Sequence, residues 1–145
     1  MALVEKSVLI EYSATQMYAL VENVAAYPEF LPWCGGTEIM KKDGDIARAA
    51  IIIDYRGIKQ RFTTENRANP PQLIEMSLVD GPFRQLDGSW RFKALGDNAC
   101  KVECRRHYEF SSRLLEKIVG PVFHFIASTF VDAFVKRARQ LYGQR

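Results

Sequence analysis

The part of this chain with chemical potential is a small set of polar side chains on the wrong side of strand-like runs. In 99–110, alternation sends Lys101, Glu103, Arg105, His107 and Glu109 to one side and Cys100, Val102, Cys104, Arg106, Tyr108 and Phe110 to the other. The second set is the interior one, so Arg106 points inward, where arginine is rarely found. The run 58–67 has Lys59, Arg61, Thr63, Glu65 and Arg67 outside, and Ile58, Gln60, Phe62, Thr64 and Asn66 inside. That inner face is half polar. An unpaired buried polar group costs about 1–3 kcal/mol, and an unpaired charge more, so these groups need partners or solvent. Two arrangements meet the need: an internal hydrogen-bond or ion-pair network near a strand end, or a cavity in which a few polar groups orient an apolar ligand. In a cavity, Arg106, Tyr108 and Gln60 are placed to polarise a ligand carbonyl.

Catalysis of the common kinds finds little to work with. Of the two histidines, His107 falls on a solvent-facing strand side between charged residues and His124 on the outer face of a helix, so neither is placed as a general base inside a cavity. No GxSxG, P-loop or HExxH pattern occurs, and distant histidines with scattered Cys34, Cys100 and Cys104 make no metal site. Cys100 and Cys104 on one strand stand about 13 Å apart, beyond disulfide reach. Buried, reduced thiols and a reducing compartment are expected. The expectation is a protein that is not an enzyme and needs no cofactor or metal, with a polyketide cyclase using Arg106, Tyr108 and Gln60 as a lesser alternative.

The elements that would hold these groups are legible. Residues 3–12 alternate and read as a strand. Ser13 and Gln16 have capping-box spacing, and Met17, Leu20, Val21 and Val24 follow as one helical stripe that runs until Pro28. Strand-like runs then occupy about 37–42, 46–55, 58–67, 72–79, 84–95 and 99–110, separated by short turn signals that imply successive antiparallel hairpins. A helical pattern from about Ser112 to Tyr142 contains Gly120-Pro121, where a kink or break is predicted. Val119, Val122, Phe123, Ile126, Phe130, Ala133 and Phe134 share its inner face. The predicted class is α+β, a single domain over 1–145 with a curved antiparallel sheet around the last helix.

Two segments stand apart from this pattern. Tyr27-Pro28-Glu29-Phe30-Leu31-Pro32-Trp33-Cys34-Gly35-Gly36 allows at most a short broken helical turn, yet it is too apolar for an exposed loop. Phe30, Leu31 and Trp33 must bury against the core or against a ligand. In the second, Leu86, Gly88, Trp90 and Phe92 share one strand face, and a mid-strand Gly88 marks a bulge or the close approach of another group. Trp90 beside that gap is a core anchor or a cavity wall.

These segments, with Gly81-Pro82-Phe83 and Tyr108-Glu109-Phe110-Ser111, resemble the coenzyme Q-binding START-type family over essentially the whole chain. Its bacterial members include ribosome association toxins and proteins labelled oligoketide cyclase or lipid transport. The resemblance implies a helix-grip fold enclosing an apolar cavity. It also implies a polyprenylated quinone, ubiquinone, or a similar lipid as the bound molecule, and a carrier or chaperone role supporting respiration. Phe30, Leu31, Pro32, Trp33, Gly81, Pro82, Phe83 and Trp90 are the positions that match its motifs. With the inward-facing positions added, the expected ligand-binding set is Phe30, Leu31, Trp33, Gln60, Phe62, Met76, Trp90, Phe92, Arg106, Tyr108, Val122, Phe123, Ile126 and Phe130.

Bulk properties set the remaining expectations. Twenty basic against 17 acidic residues leave a net charge of +3, too little to diagnose nucleic-acid binding. The alternative role, docking on the large ribosomal subunit to block subunit joining, rests on a modestly basic outer sheet face of Lys59, Arg61, Arg67, Arg91, Lys93, Lys101 and Arg105. Lys136, Arg137 and Arg139 favour the helix dipole and also suit transient contact with an anionic membrane surface. No signal peptide or run of roughly 18 apolar residues is evident, and a cytoplasmic location is expected.

Overall fold

The computed structural model describes residues 2–143. Strand β1 (Ala2–Ile10) is followed by helix α1 (Ala14–Glu22) and a short 3₁₀ helix (Val24–Glu29). Six strands come next: β2 (Cys34–Asp43), β3 (Ile46–Tyr55), β4 (Ile58–Asn69), β5 (Leu73–Asp80), β6 (Phe83–Ala94) and β7 (Cys100–Phe110). Helix α2 (Arg113–Tyr142) closes the chain.

The capping box forms in full. The Gln16 amide N–H donates to Ser13 Oγ and the Ser13 amide N–H to Gln16 Oε1, each at 3.0 Å, which fixes where α1 starts. Met17, Leu20 and Val21 are buried as their spacing requires. The helix stops at Asn23, before Pro28. A residue ahead of proline disfavours the α region, and the backbone tightens into i to i+3 pairing, with Ala26 N–H donating to Asn23 O and Phe30 N–H to Tyr27 O.

The strands form one sheet in the order β1-β7-β6-β5-β4-β3-β2, every neighbouring pair antiparallel. Short hairpins link β2 through β7. The tightest turn is Arg56-Gly57, with φ of 51° and 80°, the paired positive values that a two-residue hairpin needs. Register shifts in β2, between β4 and β5, and at the start of β6 mark irregularities that curve the sheet. Gly35 and Gly36, expected in a loop, belong to β2 across its first shift.

Helix α2 runs as one helix for 30 residues through Gly120-Pro121, so of the two outcomes predicted there, a kink or a fresh helix after a short one, the second does not occur. Pro121 forfeits one backbone hydrogen bond at a cost of about 3 kcal/mol. Val119 and Phe123, on either side of it, are both buried in the core, and breaking the helix there would expose them. Ile126, Ala127, Phe130, Val131, Phe134 and Ala138 extend the buried face, while Val122 and Ala133 sit half-buried at its margin. Although the sequence holds no unbroken run of about 18 apolar residues, this helix has an 18-residue window of mean hydropathy 1.7 and is long and apolar enough to cross a membrane; in this fold its apolar face is core. The arrangement, a curved antiparallel sheet gripping a long C-terminal helix, is the helix-grip fold.

A candidate ligand cavity between sheet and helix

Two aromatic clusters pack where α2 crosses the sheet. One joins Phe62, Phe83, Tyr108 and Phe110 to Phe123 of the helix, with Phe83 and Tyr108 at ring distances of 4.8 and 4.7 Å from Phe123. The other gathers Tyr27, Phe30, Trp33 and Trp90 around Phe130 and Phe134. Between the clusters the packing fails to close. A cavity of about 50 Å³ remains, touched by Phe62 and Phe123 on one side and by Tyr27, Trp33 and Phe130 on the other. It adjoins a groove of about 460 Å³ that runs outward past α1 and the 3₁₀ helix, and Val24, Tyr27, Asn66 and Met76 line both. The groove lies in the size range of small-molecule sites.

Arg106 is the polar feature of the cavity. Its residue is only 7% exposed, and Nη1 has no hydrogen-bond partner. Among the described residues no carboxylate pairs with it, so the internal ion-pair network that the sequence allowed is not formed. What surrounds the guanidinium is aromatic: its carbon lies 5.7 Å from the Trp90 ring centre and 5.2 Å from that of Phe130. Such contacts are worth about 2 kcal/mol when desolvated, and they supply no acceptor. Gly88 explains how the group fits. It stands opposite Arg106 across the β6–β7 pair, and a Cβ there would come within 2.5 Å of the Arg105 carbonyl oxygen and 2.8 Å of Arg106 Nη1. The missing side chain on β6 is the space that Arg106 occupies.

Other polar groups near the cavity are already engaged. Tyr27 donates its hydroxyl to the Val21 carbonyl at 2.5 Å; burial raises its pKa, the Arg106 charge opposing, so it stays a neutral phenol. Thr64 Oγ1 donates to Asn66 Oδ1 at 3.0 Å, and both residues line the cavity.

Of the residues expected to meet a ligand, Trp33, Phe62, Met76, Arg106, Phe123, Ile126 and Phe130 line the cavity, and Trp90 lines the groove. The rest do not, each for a packing reason. Leu31 and Phe92 are buried core residues, 1% and 2% exposed. Phe30 packs on Phe134 at 5.1 Å and under the Arg137 guanidinium at 5.2 Å. The proline-aromatic segment thus divides, Phe30 and Leu31 serving the fold while Tyr27 and Trp33 form wall. Gln60 and Val122 are half-buried and line neither the cavity nor the groove. Tyr108 faces inward as its alternation required, but its ring packs on Phe123 and its hydroxyl meets His124 Nδ1 at 3.1 Å. His124 is therefore engaged with the sheet although it lies on the exposed side of the helix. Val24, Tyr27, Ile51, Leu86 and Ala127 line the cavity without having been expected to. Val24 and Leu86 were visible as inward positions; Ile51 faces inward only by virtue of register, and Ala127 by helix rotation.

The remaining titratable groups offer no reactive thiol. Cys34, Cys100 and Cys104 are free and buried. Burial pushes the Cys100 thiol up to about 11 and raises those of Cys34 and Cys104 too. His107 lies 4.0 Å from Asp87 on the outer sheet face. Among the described residues no three His, Cys, Asp or Glu side chains group as metal ligands.

Comparison with known proteins agrees with this architecture. Residues 10–135 match the family described as polyketide cyclase / dehydrase and lipid transport. The chain is 45% identical over 141 residues to the ribosome association toxin RatA of Vibrio cholerae, covering 97% of this chain and 98% of that protein. It is 27% identical over 142 residues to the mitochondrial coenzyme Q-binding protein COQ10 of Drosophila melanogaster, covering 95% of this chain and 59% of that one. The crystal structure of the ZhuI aromatase/cyclase from a Streptomyces species superposes with a TM-score of 0.84 at 14% identity, covering 96% and 94% of the two chains, which speaks to the fold alone.

Proposed function

Because the chain belongs to the polyketide cyclase/dehydrase and lipid-transport family, we propose that it is a non-catalytic carrier that shields a hydrophobic ligand, a polyprenylated quinone of the ubiquinone type, and supports its use in respiration. The observation that carries this reading is the unclosed space between sheet and helix: an aromatic-walled cavity adjoining a 460 Å³ groove. The inner cavity, about 50 Å³, is too small for a whole lipid, so a head group goes in and the chain lies along the groove. Each 100 Å² of ligand apolar surface so covered supplies about 2.5 kcal/mol. A relative named for coenzyme Q binding supports the choice of ligand. The test is solvent extraction of the gently purified protein, followed by mass spectrometry and quinone absorbance against an equally treated control protein. A near-stoichiometric quinone is expected; an empty extract from folded protein would sink the proposal.

A carrier must exchange its cargo with a bilayer. Leu114, Ile118 and Phe125 are 66%, 50% and 42% exposed on one face of α2, with Arg113 and Lys117 beside them and Arg56 over the Phe125 ring. An apolar stripe flanked by basic residues suits a membrane surface. The C-terminal cluster is less suited, since Arg137 is held by Glu29 at 3.0 Å.

A second reading is favoured by one observation, the near full-length similarity to a ribosome association toxin. On this reading the outer sheet face docks on the large ribosomal subunit in the cytoplasm and prevents subunit joining. Part of the basic face is neutralised: Arg61 pairs with Glu38 at 2.7 Å, Arg67 with Glu65 at 4.0 Å and Lys101 with Glu103 at 3.7 Å. Among the described residues, Lys59, Arg91, Lys93 and Arg105 make no ion pair, and Lys93 stands directly opposite Lys101, a like-charge pairing that an RNA phosphate would relieve. Ribosome-subunit profiles on overexpression test it, with charge reversal at Lys93 and Arg105 expected to weaken a steeply salt-dependent association.

A further inference from the structure

We propose that Arg106 is the head-group anchor of the cavity and that it selects ligands by oxygen chemistry: an amphiphile whose inner end carries a negatively charged or strongly accepting oxygen. Carboxylate and phenolate heads bind more tightly than a neutral carbonyl, and a pure hydrocarbon is disfavoured. This rests on the carrier reading and deepens it.

Three features lead there. Arg106 lines the cavity and is more than nine-tenths buried, and its Nη1 has no acceptor. Guanidinium groups keep their charge in proteins, so an uncompensated one in an apolar pocket calls for a counter-charge from outside the chain. Its position is also built rather than incidental. Gly88 vacates the facing strand position to within 2.8 Å of Nη1, and the Trp90 and Phe130 rings flank the group without hydrogen-bonding it. Finally, the space beside it is small, about 50 Å³, and shares Val24, Tyr27, Asn66 and Met76 with the groove. That geometry admits one compact oxygen-bearing head with its apolar body trailing outward, and it fixes the ligand's direction.

Trp33 and Trp90 lie on the cavity and groove walls, so intrinsic fluorescence reports binding. The probes are dodecanoate in its ionised form, a ubiquinone with a short saturated tail, and dodecylbenzene, each titrated into the wild-type protein and into Arg106→Met and Arg106→Lys. Wild type should bind dodecanoate most tightly, the quinone next and dodecylbenzene least, the extremes differing by about tenfold or more, as expected for a hydrogen bond from a charged donor. Arg106→Met should erase that order while still binding dodecylbenzene, and Arg106→Lys should keep part of the preference for dodecanoate. The melting temperature gives an independent readout. Removing an uncompensated buried charge should raise it for ligand-free Arg106→Met, whereas a purely structural arginine would lower it. Equal binding of all three probes by wild type, or an unchanged order in Arg106→Met, overturns the anchor and leaves the carrier reading intact. If none of the probes binds, dodecylbenzene included, both ideas fall together.

Discussion

Gly88 and Arg106 show how one residue's absence makes room for another's charge. Gly88→Ala places a methyl 2.5 Å from a backbone oxygen and 2.8 Å from the guanidinium, and the backbone cannot yield as a flexible side-chain end would. Overpacking of this kind costs about 1–3 kcal/mol, so urea denaturation should show a loss of that size, with the ligand preference at Arg106 disturbed as well. The buried thiols give a second expectation. Desolvation holds Cys100 at about 11 and raises Cys34 and Cys104 above the ordinary 9.0, so the folded state keeps protons that the unfolded chain releases. The contribution of these thiols to stability is therefore fully present below pH 9 and is lost as pH climbs toward 11. The melting temperature should fall across that window, less steeply in Cys100→Ala; an identical slope in the variant would place the titration elsewhere. Arg106 could be identified from alternation alone because a strand's period of two leaves no third side. Whether it had an internal partner could not, because pairing depends on which strands become neighbours.

At the scale of elements, the hairpin series was legible because each turn carries its own chemistry, down to Arg56-Gly57. Helix α2 was legible in its length, while the alternative of a break at Gly120-Pro121 does not occur. A local rule about proline competes there with burial of Val119 and Phe123 on both sides of it, and tertiary packing prevails. The same helix has a second apolar stripe that stays largely exposed, at Leu114, Ile118 and Phe125. Phe125 stacks on Tyr55 with 5° between ring planes, which anchors the end of the stripe to the β3–β4 hairpin. Ile118→Glu puts a charge on this stripe at a residue already 50% exposed, so folding should be nearly unaffected. Transfer of a quinone between anionic vesicles should slow several-fold in that variant, while the quinone content of the isolated protein stays the same. An unchanged transfer rate would remove the stripe from the exchange step.

For the molecule as a whole, the two readings of its function use opposite sides of one sheet. The cavity is on the inner face against α2, and the unpaired basic residues Arg91, Lys93 and Arg105 are on the outer face of β6 and β7. Since neighbouring residues of a strand point to opposite sides, Arg105 and Arg106 are adjacent in sequence yet serve different surfaces. The two roles can therefore be separated by substitution. Ala127 is buried on the cavity wall, and Ala127→Leu adds a side chain that fills much of the 50 Å³. The new methyl groups enter existing space, so the loss of stability should stay below about 2 kcal/mol by chemical denaturation. Lipid recovered by solvent extraction should drop to the background of a control protein. If ribosomal association is carried by the outer face alone, subunit profiles on overexpression of Ala127→Leu should match those of the wild type. Loss of both properties in this one variant would mean that an occupied cavity sets the shape of the outer face, making the bound lipid a regulator of docking rather than a separate cargo.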